Sequence, residues 1–250
     1  MTMTSNATTG RRSVRAELSP KRIRVYLGGK VVADTMRALL VWEARGYPVY
    51  YIPAADVDKA LLIPDQGVAR SELLGDAEKF TVKAGAALAP GAAQLFIEPP
   101  VDDLRDHIRF EWNAMDAWFE EDEEIFVHPR DPHARIDALP SSRHVRLELD
   151  GVTIAESHSP RVLFETGLPV RYYLSKLDVR MDLLVPSDTV THCPYKGTAH
   201  YWSVQIGDRL HKDLAWSYRV TTPESQKIAS LLAFWKADLY VDGVLQQKTR

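Results

Sequence analysis

Cysteine, long apolar runs and concentrated positive charge are all scarce in this chain of 250 residues. Its one cysteine excludes an internal disulfide and any zinc site built from several cysteines, so we expect no bound metal. No apolar run approaches the ~20 residues that a membrane-spanning helix needs, so we expect no membrane partner. The formal net charge of −3 argues against nucleic-acid binding, which usually shows a basic face. Together these absences favour a cytoplasmic protein.

The N-terminal segment also lacks an apolar stretch. Arg11 and Arg12 suggest a twin-arginine export signal, but that signal requires an apolar segment after it, and residues 13–17 do not provide one. We therefore predict that residues 1–18 form a disordered tail.

What the chain does contain is a repeat of itself at an offset of 122 positions. Residues 25–85 match residues 147–207 without a gap. Identical pairs include Leu27 and Leu149, Gly29 and Gly151, Tyr51 and Tyr173, and Gly75 and Gly197. A repeat of this length is a whole domain, because solenoid units have only about 20–50 residues. We predict a first domain at residues 19–127, a proline-containing linker at 128–142 and a second domain at 143–246.

The residue pattern of each copy predicts antiparallel strands. Each copy opens with a hairpin whose turn is Gly28-Gly29 or Asp150-Gly151, residues that tolerate positive φ. Further strands are predicted at residues 38–42, 49–52 and 79–82 and at the matching positions of the second copy.

One helix per copy is expected late in the domain. Thr222 is a good N-cap, and apolar residues recur at helical spacing as far as Trp235. Leu104, Ile108 and Trp112 give a weaker version of this pattern in the first copy. The predicted fold class is mostly β (α+β), with two tandem domains of antiparallel sheets and one helix each.

The two copies differ most in one segment. Residues 191–203 read THCPYKGTAHYWS, whereas residues 69–81 read ARSELLGDAEKFT. Several reactive and aromatic residues of the second copy have no counterpart in the first: Cys193 replaces Ser71, Tyr195 replaces Leu73 and Lys196 replaces Leu74. We expect a concave site in the second copy and a first copy that is packed shut around its two leucines.

The candidate catalytic residues are Cys193 as a nucleophile and Lys196 as an electrostatic contact. The candidate ligand-binding residues are Tyr173, His192, Tyr195, Tyr201, Trp202 and Trp216. Each has an ordinary structural alternative, because Cys193 and Trp202 also suit a core and Lys196 also suits a solvated surface. His192 is the nearest base, but adjacent residues on a strand point to opposite faces. Glu43 and Glu165 are shared between the copies, which favours a structural role.

The run CPYKGTAHYW at residues 193–202 resembles the signature of a bacterial and fungal family of unknown function, the one numbered 427. Tyr172-Tyr173, residues 215–218 (AWSY) and residues 240–243 (YVDG) also resemble it, and the likeness extends over both copies. The resemblance implies a β-tent-like fold, in which two antiparallel sheets meet at an angle. Relatives of that group, such as the thalidomide-binding domain of cereblon and methionine sulfoxide reductase B, hold ligands among aromatic residues.

Two features associated with these relatives do not carry over to this chain. Their zinc cysteines are missing, so zinc binding is not implied. The family is sometimes labelled nucleotidyltransferase-like, but the chain has no Gly-Ser followed by an Asp-x-Asp pair that would hold two metals.

Three functions remain open at this point. The first is a small-molecule pocket in the second domain, with aromatic walls and a few polar contacts. The second is a transferase- or hydrolase-like enzyme that uses Cys193 and Lys196. The third is a non-catalytic tandem module that binds a protein partner. No cofactor is implied by any of them.

Overall fold

A computed structural model describes residues 4–9, 12–43 and 46–246, with side chains from Val14 onward. The chain divides into two units, Met1–Asp131 and Pro132–Arg250. The strand pairs that the structure describes are antiparallel, and the helical segments between them are short 3₁₀ helices. The predicted mostly β fold in two halves is confirmed.

The first unit contains two sheets. Its strands are β1 (Thr4–Thr9), β2 (Arg12–Leu18), β3 (Ile23–Leu27), β4 (Lys30–Thr35), β5 (Leu39–Trp42), β6 (Val49–Pro53), β7 (Leu62–Ser71), β8 (Gly75–Ala84), β9 (Ala87–Phe96), β10 (His107–Phe110), β11 (Ala117–Glu120) and β12 (Glu123–Ile125). One sheet has the order β1-β2-β5-β6-β10-β9-β8-β7, and the other has the order β12-β11-β3-β4. The 3₁₀ helices are Ala54–Asp56, Lys59–Leu61, Asp102–Leu104 and Trp112–Ala114.

The second unit repeats this arrangement. Its strands are β13 (Ile136–Pro140), β14 (Val145–Leu149), β15 (Val152–Ser157), β16 (Arg161–Glu165), β17 (Arg171–Tyr173), β18 (Leu184–Cys193), β19 (Gly197–Ile206), β20 (Arg209–Tyr218), β21 (Ala233–Phe234), β22 (Asp238–Val241) and β23 (Val244–Leu245). They form the sheets β13-β16-β17, β18-β19-β20-β21 and β15-β14-β22-β23. A bridge between Leu174 and Leu232 links the first two. The 3₁₀ helices are Lys176–Asp178, Met181–Leu183 and Pro223–Ile228.

The long hairpins of the two units have the same strand register. Their matching end pairs are Leu62 with Val82 and Leu184 with Val204, and then Ser71 with Gly75 and Cys193 with Gly197. Both hairpins also shift register just after a proline, Pro64 in one and Pro186 in the other. Identical register with an identical irregularity shows that the sequence repeat is a structural repeat.

The main sheet of each unit has an apolar cluster on both faces. In β5, Leu40 packs into the cluster that also contains residues of β3 and β11, whereas Leu39 and Val41 pack into a second cluster. In the second unit, Leu163 and Tyr173 belong to the cluster on the face away from β14 and β22. Cys193 packs against that same cluster, so the sheet places the candidate site on this face.

The helix predicted at residues 222–235 is much shorter than expected. Only Pro223–Ile228 is helical, as a 3₁₀ helix, and Ala233–Phe234 is strand β21. Leu232 pairs with Leu174 instead of continuing a helical stripe. The weaker pattern in the first unit is also wrong as a helix, because Ile108 lies in strand β10. Strand pairing has overridden the local apolar period in both places.

Two segments that were predicted to be irregular contain strands. Within the predicted tail, β2 pairs with β5, and Val14 and Ala16 are buried. Within the predicted linker, β13 pairs with β16 and buries Ala138. Each of these strands contains only three Val, Ile, Leu or Ala residues, so the local apolar pattern is a weak signal for a strand in either segment. Among the described residues, no helix combines the length and the apolar character needed to cross a membrane.

Candidate functional site

The candidate site begins at the turn between β18 and β19. Cys193 pairs with Gly197, and the backbone N–H of Lys196 donates to the carbonyl of Cys193 at 3.3 Å. Gly197 has φ +99°, a backbone conformation that residues other than glycine rarely adopt. The hydroxyls of Thr222 and Ser225 donate to the carbonyl of Tyr195, which ties the turn to the 3₁₀ helix.

Lys196 is buried rather than solvated. Its side chain is only 10% exposed, and its Nζ lies 2.5 Å from Oε2 of Glu165, which is equally buried at the end of β16. The ammonium group therefore already has a carboxylate partner. Its immediate role is to neutralise Glu165, since a buried charge without a partner is strongly destabilising.

Three buried aromatic residues surround this turn. Tyr173, Trp216 and Tyr218 form one cluster, and Cys193 and Tyr201 pack against it while staying partly exposed. The rings of Tyr173 and Trp216 meet edge to face with centroids 6.4 Å apart. Burial raises the pKa of both Tyr173 and Tyr218 well above the usual value, so their hydroxyls stay protonated at neutral pH.

In the first unit, an arginine of strand β10 neutralises Glu43, the glutamate that matches Glu165. Nε of Arg109, in β10, lies 3.3 Å from Oε1 of Glu43, and the hydroxyl of Tyr51 donates to the same oxygen at 2.8 Å. Leu74, which stands at the position of Lys196, is fully buried. In the strand ladder, Arg109 pairs with Gln94, and Ala233 pairs with Trp216. Because Trp216 matches Gln94 at the repeat offset, Ala233 is the structural counterpart of Arg109. In each unit a described cation thus neutralises this glutamate, but the cation comes from β10 in the first unit and from the turn between β18 and β19 in the second.

Comparison with protein families now identifies both units. A family model described as a domain of unknown function, DUF427, matches residues 15–121 and again residues 137–247. The chain belongs to the DUF427 family. A comparison with curated proteins gave no match. The repeat is therefore a tandem pair of DUF427 domains, as the resemblance of the sequence predicted.

Trp202 and His192, which were predicted to bind a ligand, lie outside the cluster in the second DUF427 unit. Trp202 packs into the core on the other face of the sheet, because it is adjacent to Tyr201 on β19 and points the opposite way. His192 is exposed, and its Nδ1 lies 3.1 Å from the hydroxyl of Thr198. The structure brings together Cys193, Tyr173, Tyr201 and Trp216. Among the described residues, no group of His, Cys, Asp and Glu is arranged to hold a metal ion.

Sequence reasoning missed a second feature of this DUF427 unit. The guanidinium of Arg171 lies 4.3 Å from the ring centroid of Trp235 and 5.8 Å from that of Trp216. The two indole centroids are 4.5 Å apart, and Trp235 remains 40% exposed. Arg171 stands where the first copy has Val49, and this difference between the copies is the signal in the sequence that points to Arg171. No such signal points to Trp235, because the apolar spacing around it predicts a helix.

Arg171 differs from the other arginines that lie over aromatic rings. Those others each have a carboxylate partner: Arg15 with Glu17, Arg24 with Asp122, and Arg146 with Glu148. Arg171 has no carboxylate partner within the part of the chain that the structure describes. Burial lowers its pKa, yet an arginine stays charged at neutral pH. The site therefore contains a half-buried positive charge for which the described residues supply no counter-charge.

Replacing Gly197 by alanine is expected to destabilise the turn by about 1–3 kcal/mol. A Cβ at Gly197 would lie 2.6 Å from the carbonyl oxygen of Val220. Gly75 is a matched control, because its φ is +84° but the nearest atom to its Cβ would be 3.7 Å away. Hydrogen exchange of the amides in each hairpin measures both losses. Equal losses for the two variants would mean that positive φ alone, and not the close contact, sets the cost.

Proposed function

We propose that this DUF427 protein is a cytoplasmic small-molecule-binding protein whose second unit binds an aromatic anion at Arg171, Trp216 and Trp235. The observation that supports this proposal is the guanidinium of Arg171, which lies against two indoles without a carboxylate among the described residues. A half-buried cation of this kind is stabilised when an anion binds beside it.

The chemistry of these side chains defines the class of ligand. A guanidinium that lies over the face of a ring can keep its N–H edge directed away from the ring, where it donates two parallel hydrogen bonds to a carboxylate or a phosphate. Trp235 offers an exposed aromatic surface to the planar part of the same ligand. Trp216 also contacts Tyr173 and Tyr201, which connects this surface to the Cys193 cluster. We therefore expect a small aromatic carboxylate or phosphate.

Lys196 has a supporting role in this proposal. Because its ammonium contacts Glu165 at 2.5 Å, it keeps that carboxylate neutralised close to the cluster and leaves Arg171 as the cation for the ligand. The ligand-binding role expected for Trp216 and Tyr173 is retained. Tyr195 contributes the shape of the turn through its carbonyl, which two hydroxyls contact.

Binding is tested by titrating the full chain with benzoate and with phenyl phosphate, followed by tryptophan fluorescence and by two-dimensional NMR. Arg171→Gln is expected to weaken binding about tenfold or more, because it removes a charged hydrogen-bond donor. Arg146→Gln is the matched control, since Arg146 lies 4.6 Å from the ring of Tyr240 but also contacts Glu148 at 3.0 Å. We expect that control to bind like the wild type.

Two outcomes would overturn the proposal. One is a wild-type chain that binds neither probe at concentrations up to about 10 mM, the weak end of useful affinity. The other is an Arg171→Gln variant that binds as tightly as Arg146→Gln. In either case the exposed indole of Trp235 would become a candidate surface for a protein partner instead.

A further inference from the structure

The first unit contains a cavity that plays no part in the site described so far. It has a volume of about 370 Å³, which is within the range of small-ligand pockets. The side chains that give it chemical character are Tyr47, Arg109, Glu111, Trp112, Asn113 and His128. These residues come from the start of β6, from β10 and the 3₁₀ helix that follows it, and from the segment after β12.

In the second unit, two side chains that contact each other occupy the equivalent position. Val49 lines the cavity at the position of Arg171, since both residues pair with the same place on the neighbouring strand. Glu111 lines it at the position that Trp235 has in the second unit. The backbone N–H of Glu111 donates to the carbonyl of Ala92, and that of Trp235 donates to the carbonyl of Leu214, the residue that matches Ala92 at the repeat offset. The guanidinium of Arg171 lies 4.3 Å from the ring centroid of Trp235, so these side chains contact each other at the position where Val49 and Glu111 line a cavity in the first unit.

Aromatic rings line this cavity. Tyr47 and His128 stack on each other with centroids 4.2 Å apart and planes only 14° from parallel. Trp112 stacks on Trp118 with centroids 4.6 Å apart, which fixes the orientation of its indole. Rings that are held in this way present their faces or edges to a ligand with little loss of conformational freedom.

The ion pairs of Arg109 set the charge beside the cavity. Arg109 is the arginine among the described lining residues, and it is already shared between Glu43 and Glu111, each 3.3 Å away. Gln94 accepts a further hydrogen bond from its guanidinium at 3.2 Å. Burial lowers the pKa of His128, so the imidazole is neutral at pH 7. Among the described residues, the group of Arg109, Glu43 and Glu111 has two carboxylates and one guanidinium, which leaves one negative charge in excess. Glu111 lines the cavity and its side chain is 43% exposed, so it is the carboxylate that a ligand can reach.

We propose that this cavity binds a small organic cation, an amine or quaternary ammonium with an aromatic body. Fixed aromatic rings and an excess carboxylate are the chemistry that recognises such cations. The two units then have opposite preferences. In the second unit, Arg171 has no carboxylate partner among the described residues. In the first unit, Arg109 has two carboxylate partners, Glu43 and Glu111.

The test is calorimetric titration of the full chain with benzyltrimethylammonium, with benzoate as the anionic counterpart. Glu111→Gln is expected to weaken cation binding about fivefold or more, because it removes the accessible carboxylate. Tyr47→Ala is expected to weaken it about threefold or more through loss of an aromatic wall. Glu124→Gln, an exposed acid on β12 away from the cavity, is the matched control and should bind like the wild type.

The outcome that would contradict the proposal is equal cation affinity in Glu111→Gln and Glu124→Gln, or a wild-type chain that does not bind the cation. Arg171→Gln separates this proposal from the one for the second unit. It should leave cation binding unchanged while it weakens benzoate binding, so either site can fail without the other.

Discussion

Replacing Lys196 by leucine is expected to destabilise the second unit by about 3–5 kcal/mol. The change removes the ammonium that contacts Glu165 at 2.5 Å in a place where both side chains are only 10% exposed. The carboxylate is then left buried without a counter-charge, which costs far more than a broken surface ion pair. Because denaturation of the whole chain would mix two units, the loss is measured by hydrogen exchange of β18 and β19 amides, with first-unit amides as the internal reference.

The control is the variant that combines Glu165→Leu with Lys196→Leu. It removes both charges together, so it is expected to recover about half or more of the stability lost in the single variant. A single variant as stable as the wild type would show that the ion pair contributes nothing. A double variant as unstable as the single one would assign the loss to the shape of the turn.

Replacing Arg109 by alanine is expected to destabilise the first unit by about 2–4 kcal/mol. Arg109 and Glu43 are each only 12% exposed, and the second unit already has an alanine, Ala233, at the position of Arg109. After the change, the hydroxyl of Tyr51 remains as a partner of Glu43, but it supplies no positive charge. Hydrogen exchange of β5 and β6 amides measures the effect.

A transplant of the second-unit arrangement gives the sharper form of this test. Leu74→Lys alone is expected to destabilise the first unit, because it buries an ammonium beside a glutamate that Arg109 already neutralises. Combined with Arg109→Ala, the new lysine has Glu43 to itself. The double variant should therefore lose less stability than the sum of the two single losses, by about 1–3 kcal/mol. Additive losses would mean that the two positions do not exchange roles.

The location of the site could be predicted only in part. The comparison of the two copies singles out the turn at Cys193, because the reactive residues there have no counterparts in the first copy, and the role of this turn in a site stays a prediction. It did not predict the contact of Lys196 with Glu165, since Lys196 lies in the turn between β18 and β19 whereas Glu165 ends β16, 31 residues earlier in the chain. The same limitation hid Arg171 and Trp235, which are far apart in the chain and meet only after the sheet has formed.

The helix that was predicted near residue 222 shows where local pattern fails. Ile228, Leu231, Leu232 and Trp235 have helical spacing, and the N-cap signal at Thr222 is followed by a 3₁₀ helix. Beyond Ile228 the chain instead pairs with β17 and β20, because those edges offer backbone partners that a free helix end lacks. Apolar period alone does not distinguish these alternatives over so few residues.

The sequence by itself determined the tandem architecture, the hairpins and their turns, since alternation of apolar residues and positive-φ turn residues act over a few neighbours. It also determined which copy carries the reactive residues. Only the tertiary structure decided which charges meet. Buried carboxylates must be neutralised by whatever cation the fold brings within reach, and in these two units that cation comes from strand β10 and from the turn between β18 and β19. The charge balance of each site, and with it the ligand each is proposed to bind, therefore depends on contacts between distant segments.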